Sequence, residues 1–264
     1  MSLIVQGVDV FVSDTGQGEP ILFLHGNPDS AEVWSGVIAR LQDRFRCIAI
    51  DLPGFGRSKA PDDFDYSVEN LGRFVNGVLE GLGIDGPIHL VAHDFGGAFA
   101  TSFAIAHPDR IRRLVVINHM FYIADYKWHF WARIWRTPLI GELSMRTMTW
   151  PTFRWSLRLG SKRLSDEQIR HAWGFFTPTV RRNVLKLYRA VGPAEFKAWE
   201  PRMRVATAKI PTLVMWGLHD PYIPAWIAQR FGTTQVASFQ ESGHWAPAEV
   251  PELVSAELLK FLRP

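Results

Sequence analysis

The sequence has a single cysteine, Cys47, among 264 residues, so no disulfide can form within the chain. Cys47 begins the apolar run 47–50, which predicts that it lies in a buried strand. No run approaches the ~18 apolar residues that a membrane-spanning helix requires. The first residues also lack a basic segment followed by an apolar one, which is the pattern of a secretory leader. These absences predict a cytoplasmic protein with no membrane span.

A strong charge of either sign is missing as well. The net charge is +3, from 29 basic and 26 acidic residues, which is too small to indicate a nucleic-acid partner. The 17 prolines and 21 glycines are scattered and form no repeat or low-complexity tract. An apolar content of 47% and a charged content of 21% are typical of a globular chain. The length fits one domain with an insertion.

Short apolar runs alternate with helical patterns over most of the chain. An antiparallel strand is expected over residues 8–12, and further strands over 20–24, 47–50, 88–93, 114–117, 211–217 and about 235–239. Continuous apolar strands between amphipathic helices are typical of a parallel sheet that is covered on both faces. The fold class is therefore predicted to be α/β, with a mostly parallel sheet and helices on both sides.

This alternation stops between residues 121 and 200. The stretch has no clear strand and contains seven of the 11 tryptophans, with 14 Lys and Arg against 6 Asp and Glu. We interpret it as a helical cap inserted into a core domain that comprises residues 1–120 and 201–264. Most of its aromatic residues are expected to form the cap's own core, because aromatics at helical spacing usually pack together. A role of this basic cap at a membrane surface is a further interpretation, although not the main function.

The most informative stretch is residues 88–97. An apolar strand leads to a tight turn, and the small residues Gly96 and Gly97 open a helix. Such an elbow projects the side chain at its apex over the helix N-terminus. The apex here is Asp94, whose ionised form is favoured by the positive end of the helix dipole. An ionised aspartate can attack carbon and form an ester, whereas the simpler alternative is that Asp94 caps the helix.

Other polar residues follow the ends of predicted parallel strands, where ligands of such sheets bind. They include Asn27, Asn118, Asp220 and His244. The chain order of Asp94, Asp220 and His244 is nucleophile, acid and base. We predict that His244 is the general base and that Asp220 orients it. Asn118 is interpreted as a loop-forming residue.

These motifs together resemble the α/β-hydrolases with an aspartate nucleophile, a branch that contains epoxide hydrolases and haloalkane dehalogenases. The resemblance covers nearly the whole chain and rests on the motifs at 25–28, 54–58, 93–97, 220 and 243–244. It implies an eight-stranded sheet with an inserted cap, and an oxyanion hole formed by the backbone N–H groups of Asn27 and Phe95. The implied reaction is attack of Asp94 on an sp³ carbon, followed by hydrolysis of the ester by water that His244 activates. It needs no metal or organic cofactor.

The two classes of enzyme in this branch differ in the leaving group that the nucleophile displaces. Asn27 resembles the dehalogenase pattern, but those enzymes place a tryptophan after the nucleophile, whereas Phe95 has no N–H donor in its side chain. Epoxide hydrolases use cap tyrosines to polarise the epoxide oxygen. Tyr188 resembles the second of these, and Tyr126 or Tyr122 is the candidate for the first.

We therefore favour epoxide hydrolysis, with a small hydrophobic substrate and water as the partners of a monomer or homodimer. Haloalkane dehalogenation with Asn27 as halide ligand is the alternative. A third hypothesis is a non-catalytic, ligand-binding homologue in which Asp94 replaces a lost serine. It predicts decay of the other site positions, but Asp220 and His244 are both present.

Overall fold

The computed structural model describes residues 1–120, 123–190, 192–233 and 235–262. Its strands form one eight-stranded sheet in the spatial order β1-β2-β4-β3-β5-β6-β7-β8. The strands are β1 (Ser2–Val5), β2 (Val8–Thr15), β3 (Glu19–Leu24), β4 (Phe45–Ile50), β5 (Ile88–His93), β6 (Ile111–Ile117), β7 (Thr212–Gly217) and β8 (Val236–Phe239). β2 pairs antiparallel with β1 and β4, and every other pairing is parallel. The predicted fold class is confirmed.

Eleven α-helices are assigned in the described residues. Those before and after the inserted segment are α1 (Ser35–Leu41), α2 (Val68–Gly81), α3 (Gly96–Ala106), α10 (Ala246–Glu249) and α11 (Pro251–Phe261). Those between β6 and β7 are α4 (Phe130–Arg136), α5 (Ile140–Arg146), α6 (Trp150–Gly160), α7 (Asp166–Phe175), α8 (Pro178–Ala190) and α9 (Pro193–Lys209). None of these helices combines the length and hydropathy required to cross a bilayer.

Alternate side chains of the central strands enter two separate cores. Leu22 and Leu24 of β3 face the core that contains α2 and α3, whereas Ile21 and Phe23 face the core that contains α1 and α11. Because successive side chains of a strand point to opposite faces, a continuous apolar run is what a sheet covered on both sides requires. Cys47 lies fully buried in the second of these cores.

The described residues of the inserted segment contain helices and their connections but no strand, in agreement with the absence of strand patterns. Its last helix, α9, runs through the predicted boundary at residue 200 and ends at Lys209. α9 packs against α3 of the core, so the polypeptide returns to the core along a continuous helix. The division into residues 121–200 and the remainder stays a prediction, with this helix shared between the two parts.

Candidate active site

A cavity lies between the carboxyl ends of the central strands and the helices of the inserted segment. Its polar lining includes Asn27, Asp94 and His244 from the strand ends. The segment between β6 and β7 contributes a mainly apolar wall: Trp131, Trp135, Met148, Phe153, Leu157 and Phe176. A small, mostly apolar site with a few convergent polar groups is typical of a small-molecule binding site.

Asp94 occupies the apex of the elbow between β5 and α3. Its φ of +49° is a conformation that few residues other than glycine adopt, and it aims the buried carboxylate into the cavity. Oδ1 accepts a hydrogen bond from Asn27 N at 2.8 Å, and Oδ2 lies 3.6 Å from His244 Nε2. Burial alone would raise the pKa of Asp94, but His244, His93 and the Asn27 N–H together lower it to about 2. Asp94 is therefore an ionised carboxylate at neutral pH.

The predicted acid and base are in direct contact. His244 Nδ1 lies 2.8 Å from Asp220 Oδ2, which fixes the orientation of the imidazole. The other carboxylate oxygen, Asp220 Oδ1, accepts hydrogen bonds from the backbone N–H groups of Tyr222 (2.8 Å) and Ile223 (3.1 Å). The structure thus brings Asp94, Asp220 and His244 together in the predicted order.

Asn118 contributes more than the loop-forming role expected from the sequence. Its Nδ2 donates to Asp220 Oδ2 at 2.8 Å, and its Oδ1 accepts from Gly217 N at 3.0 Å. With a φ of +43°, Asn118 bridges the ends of β6 and β7 and holds the acid from a second side. The sequence did carry a signal for this role, because Asn118 directly follows β6 and the ends of neighbouring parallel strands meet at one edge of the sheet.

The backbone around His244 is held on both sides by one buried carboxylate. Glu249 Oε2 accepts from Gly243 N and Oε1 accepts from Trp245 N, each at 2.9 Å. The N–H of His244 itself donates to Gly160 O at the end of α6 (2.9 Å), and its carbonyl lies 2.8 Å from His93 Nε2. The loop that carries His244 is therefore tied to α6, to the elbow and to Glu249.

Changing Glu249 to glutamine should loosen this loop. Glutamine has one acceptor oxygen and places an NH₂ group against a second N–H donor, which leaves that donor unsatisfied. We expect the rate of ester hydrolysis, the step for which His244 is the predicted base, to fall roughly tenfold. The rate of ester formation on Asp94 should fall less. Single-turnover kinetics measure the two steps separately. The matched control is Glu252→Gln at an exposed position, and equal losses in both variants would contradict the positioning role of Glu249.

Asn27 and Phe95 are placed beside the nucleophile as predicted for an oxyanion hole. The Asn27 N–H already contacts Asp94 Oδ1, which is the oxygen that would carry the developing negative charge. Phe95 is fully buried, and its ring packs edge-on against Tyr188 with the centroids 4.6 Å apart. The role of the Phe95 N–H stays a prediction.

Tyr188 lies on the cavity wall, in α8. Burial, and next the charge of Asp94, raise the pKa of Tyr188 well above its ordinary value, so its hydroxyl stays protonated. The Tyr188 Oη lies 3.5 Å from Nε2 of His129, a residue that the sequence interpretation missed. The only signal for His129 was its position immediately before a cap helix.

His129 is arranged as a hydrogen-bond donor toward Tyr188. Its Nδ1 accepts from Ala132 N at 3.3 Å, so the neutral ring carries its proton on Nε2. Burial lowers the pKa of His129 to about 4, although the charge of Asp94 opposes this, and the ring is therefore neutral near pH 7. The Tyr188 hydroxyl therefore keeps its proton, with His129 and the side chain of Asn27 as its hydrogen-bond partners.

Tyr126, a candidate for the first cap tyrosine, directs its hydroxyl away from the cavity. The Tyr126 hydroxyl donates to the backbone oxygen of Tyr222 at 3.1 Å, and Tyr126 is absent from the cavity lining. This geometry corrects the prediction for Tyr126, because its proton is directed at the backbone. Tyr122 lies outside the described residues.

An unsatisfied donor group lies on the same wall. The Trp135 indole lines the cavity, and its buried Nε1 has no hydrogen-bond partner among the described residues. Buried donors are usually satisfied, so this N–H lacks the partner expected of it. Asn27 lines the same cavity, and its side chain hydrogen-bonds with Tyr188.

A mostly parallel sheet, a strand-elbow-helix carrying a buried acid, and a histidine paired with a second acid define an α/β enzyme of the hydrolase type. Comparison with protein families agrees with this class. The family model described as alpha/beta hydrolase fold matches residues 19–251. The chain belongs to the alpha/beta hydrolase family.

Several characterised proteins are similar over nearly their whole length. The cis-3-alkyl-4-alkyloxetan-2-one decarboxylase of Shewanella oneidensis is 28% identical, over 94% of this chain and 83% of that protein. Haloalkane dehalogenase 2 of Mycobacterium tuberculosis is 25% identical, over 94% of this chain and 89% of that protein. The solved structure of a candidate epoxide hydrolase from Pseudomonas aeruginosa superposes with a TM-score of 0.85 over 99% of this chain and 94% of that one. Because the sequence identity with the Pseudomonas aeruginosa structure is 22%, this similarity is evidence for the fold only.

Proposed function

We propose that this protein hydrolyses epoxides to vicinal diols through a covalent ester on Asp94. The observation that carries the proposal is the protonated Tyr188 hydroxyl on the cavity wall, with the His129 Nε2–H beside it. Breaking an epoxide C–O bond leaves an oxygen that needs a proton or a strong hydrogen bond, and a buried phenol supplies both. The site combines this donor with an ionised nucleophile on the floor of the same cavity.

In the first step, Asp94 Oδ2 attacks an epoxide carbon and forms a C–O ester bond while the ring C–O bond breaks. Tyr188 donates its proton to the departing oxygen. Burial lowers the pKa of His244, but the charges of Asp220 and Asp94 outweigh this and raise it to about 10, so the resting imidazole is protonated. Esterification removes the Asp94 charge and with it part of this stabilisation. His244 then releases the proton that restores the Tyr188 hydroxyl.

In the second step, neutral His244 takes a proton from water, and the resulting hydroxide attacks Cγ of the Asp94 ester. The Asn27 N–H stabilises the negative charge that develops on Oδ1. The bond between Cγ and the alkyl oxygen breaks, and this oxygen takes the proton of the hydroxyl that was added to Cγ, so the diol leaves with an oxygen that came from Asp94. The site returns to an ionised Asp94 and a protonated His244, with no proton gained or lost.

The lining of the cavity supports a small hydrophobic substrate. Trp131, Phe153 and Phe176 offer aromatic surface, while the polar groups converge on Asp94. The Shewanella relative is named for its action on an oxetan-2-one, which is also a strained ring containing oxygen. Terminal or aryl-substituted epoxides are therefore the substrate class that we propose.

Substitution of Tyr188 by phenylalanine should slow opening of the epoxide by about 100-fold, because the departing oxygen loses its proton donor. The measurement is the rate of ester formation with styrene oxide in a single turnover. Tyr126→Phe is the matched control, since that hydroxyl donates to the backbone and its removal should change the rate little. A Tyr188→Phe enzyme that opens styrene oxide at the wild-type rate would contradict the proposed donor.

Haloalkane dehalogenation is the second candidate, and the unsatisfied Trp135 Nε1–H favours it. Together with the Asn27 amide, this indole could bind a halide that leaves during the same attack by Asp94. The test is bromide release from 1-bromobutane by the wild type and by Trp135→Phe. Bromide release that depends on Trp135, with no turnover of styrene oxide, would favour dehalogenation over epoxide hydrolysis.

A further inference from the structure

The outer surface of α4, α5 and α6 exposes large apolar side chains. Six of them are between 49% and 82% exposed: Phe130, Leu139, Ile140, Leu143, Trp155 and Leu159. Single exposed apolar residues are normal, but a concentration of them on adjacent helices marks an interaction site. We call these six side chains the cap patch.

Part of the cap patch is continuous with the wall of the active-site cavity. The Trp131 ring lines the cavity and also contacts the rings of Phe130 (5.4 Å) and Trp155 (6.0 Å). Leu159 lies one helical turn beyond Trp155 on α6, so the two side chains share a helix face. The remaining three residues, Leu139, Ile140 and Leu143, lie at the start of α5, which packs against α4. The patch therefore extends outward from Trp131.

Leu139 is held in an unfavourable conformation at the point of greatest exposure. Its φ is +66°, a region that a leucine rarely occupies, and its side chain is 82% exposed. Strained backbone of this kind is concentrated at functional positions. Because the Leu139 side chain is exposed, it contributes little to the stability of the fold. Transfer of this side chain into an apolar phase outside the protein would be favourable.

The same helices carry the strongest local charge of the chain. Residues 127–163 contain eight Lys or Arg and one acidic residue, Glu142, so their net charge is +7. Acidic residues outside this stretch neutralise only part of the charge: Glu241 pairs with Arg163, and Arg154 and Arg158 share the single carboxylate of Asp166. Exposed Trp, Phe and Leu side chains among basic residues are the composition of segments that bind at the interface of anionic membranes.

We propose that the cap patch docks on the surface of an anionic lipid bilayer. The apolar side chains enter the headgroup region while the surrounding Arg and Lys residues contact lipid phosphates. The docked orientation sets Trp131, and with it the cavity, next to the membrane, so a lipophilic substrate can pass from the bilayer into the site. Docking is independent of the reaction that Asp94 performs.

The test is co-sedimentation of the full chain with vesicles. Vesicles of phosphatidylcholine mixed with phosphatidylglycerol should bind the protein at least about tenfold more tightly than phosphatidylcholine alone at low salt. High salt should remove most of this difference. The double variant Leu139→Ser/Leu143→Ser should lose most of the binding, and Arg133→Gln/Arg146→Gln should lose the preference for the anionic lipid. Ile4→Ser/Leu253→Ser removes exposed apolar side chains elsewhere and should bind like the wild type.

Melting temperature and turnover of a water-soluble substrate should be unchanged in Leu139→Ser/Leu143→Ser, which excludes misfolding as the cause of lost binding. Equal sedimentation with and without phosphatidylglycerol would overturn the proposal. So would a wild type that fails to bind vesicles but forms a dimer abolished by Leu139→Ser/Leu143→Ser, because the patch would then be an interface between two copies of the chain.

Discussion

Changing His244 to glutamine should stop the enzyme after its first chemical step, with the substrate bound to Asp94 as an ester. Glutamine cannot take a proton from water, so hydrolysis of the ester should slow by about 1,000- to 10,000-fold. Attack by Asp94 needs no base and should continue, although more slowly, because the charge on His244 no longer supports the buried carboxylate. Intact-mass measurement after mixing with styrene oxide should show the protein heavier by one epoxide.

The adduct should be absent from Asp94→Ala, which lacks the nucleophile. An adduct on Asp94→Ala would place the reaction on another side chain, and a His244→Gln enzyme that turns over at the wild-type rate would contradict the role of His244 as base. The mass also distinguishes substrates, since 1-bromobutane would add a butyl group and release bromide.

The pH dependence of the wild type follows from the same step. Ester hydrolysis needs neutral His244, so its rate should rise with pH through the pKa that His244 has in the ester form. That pKa lies below the value of about 10 in the resting enzyme, because the ester carries no negative charge on Asp94. The rate at low pH should fall as His244 becomes protonated.

Gly26→Ala should damage both activity and stability. A Cβ at this position would lie 2.4 Å from Cβ and 2.6 Å from Oδ1 of Asp94, distances at which the backbone or the nucleophile must move. Overpacking of this kind costs about 1–3 kcal/mol of the free energy of unfolding. Displacing the carboxylate by a few tenths of an ångström should also lower kcat by about 100-fold, since attack requires close alignment.

Gly86→Ala is the control for this variant, because a Cβ there would meet no atom within 4 Å. Its stability and kcat should stay near those of the wild type. A Gly26→Ala protein with unchanged melting temperature and kcat would contradict the close approach of the loop after β3 to Asp94.

The sequence was most informative where burial dictates composition. The central strands are buried on both faces and so appear as unbroken apolar runs, which made β3, β4 and β7 recognisable. β1 was missed, because it is a short edge strand whose residues are mostly exposed or half-buried and shows little pattern. The boundary at residue 200 has no local signal either, because α9 is helical on both sides of it.

The same distinction applies to the candidate site. Asp94, Asp220 and His244 occupy strand ends, and the topology of a parallel sheet brings such positions together. His129 contacts Tyr188, a residue far away along the chain, and no spacing in the sequence encodes that contact. Glu249 lies only four to six residues after the backbone N–H groups that it binds, but a lone glutamate after a turn shows no pattern that predicts these hydrogen bonds. Tyr126 and Tyr188 are alike as residues, and only the direction of each hydroxyl in the folded chain separates them.

The central claim is that Asp94 forms a covalent ester whose carbonyl carbon is attacked by water. A single turnover with enzyme in excess over styrene oxide, in water labelled with oxygen-18, tests it directly. The account predicts an unlabelled diol and one oxygen-18 in the peptide that contains Asp94, because the product leaves with an oxygen from the carboxylate. A labelled diol and an unlabelled Asp94 peptide would show that water attacks the substrate itself, and would contradict the account.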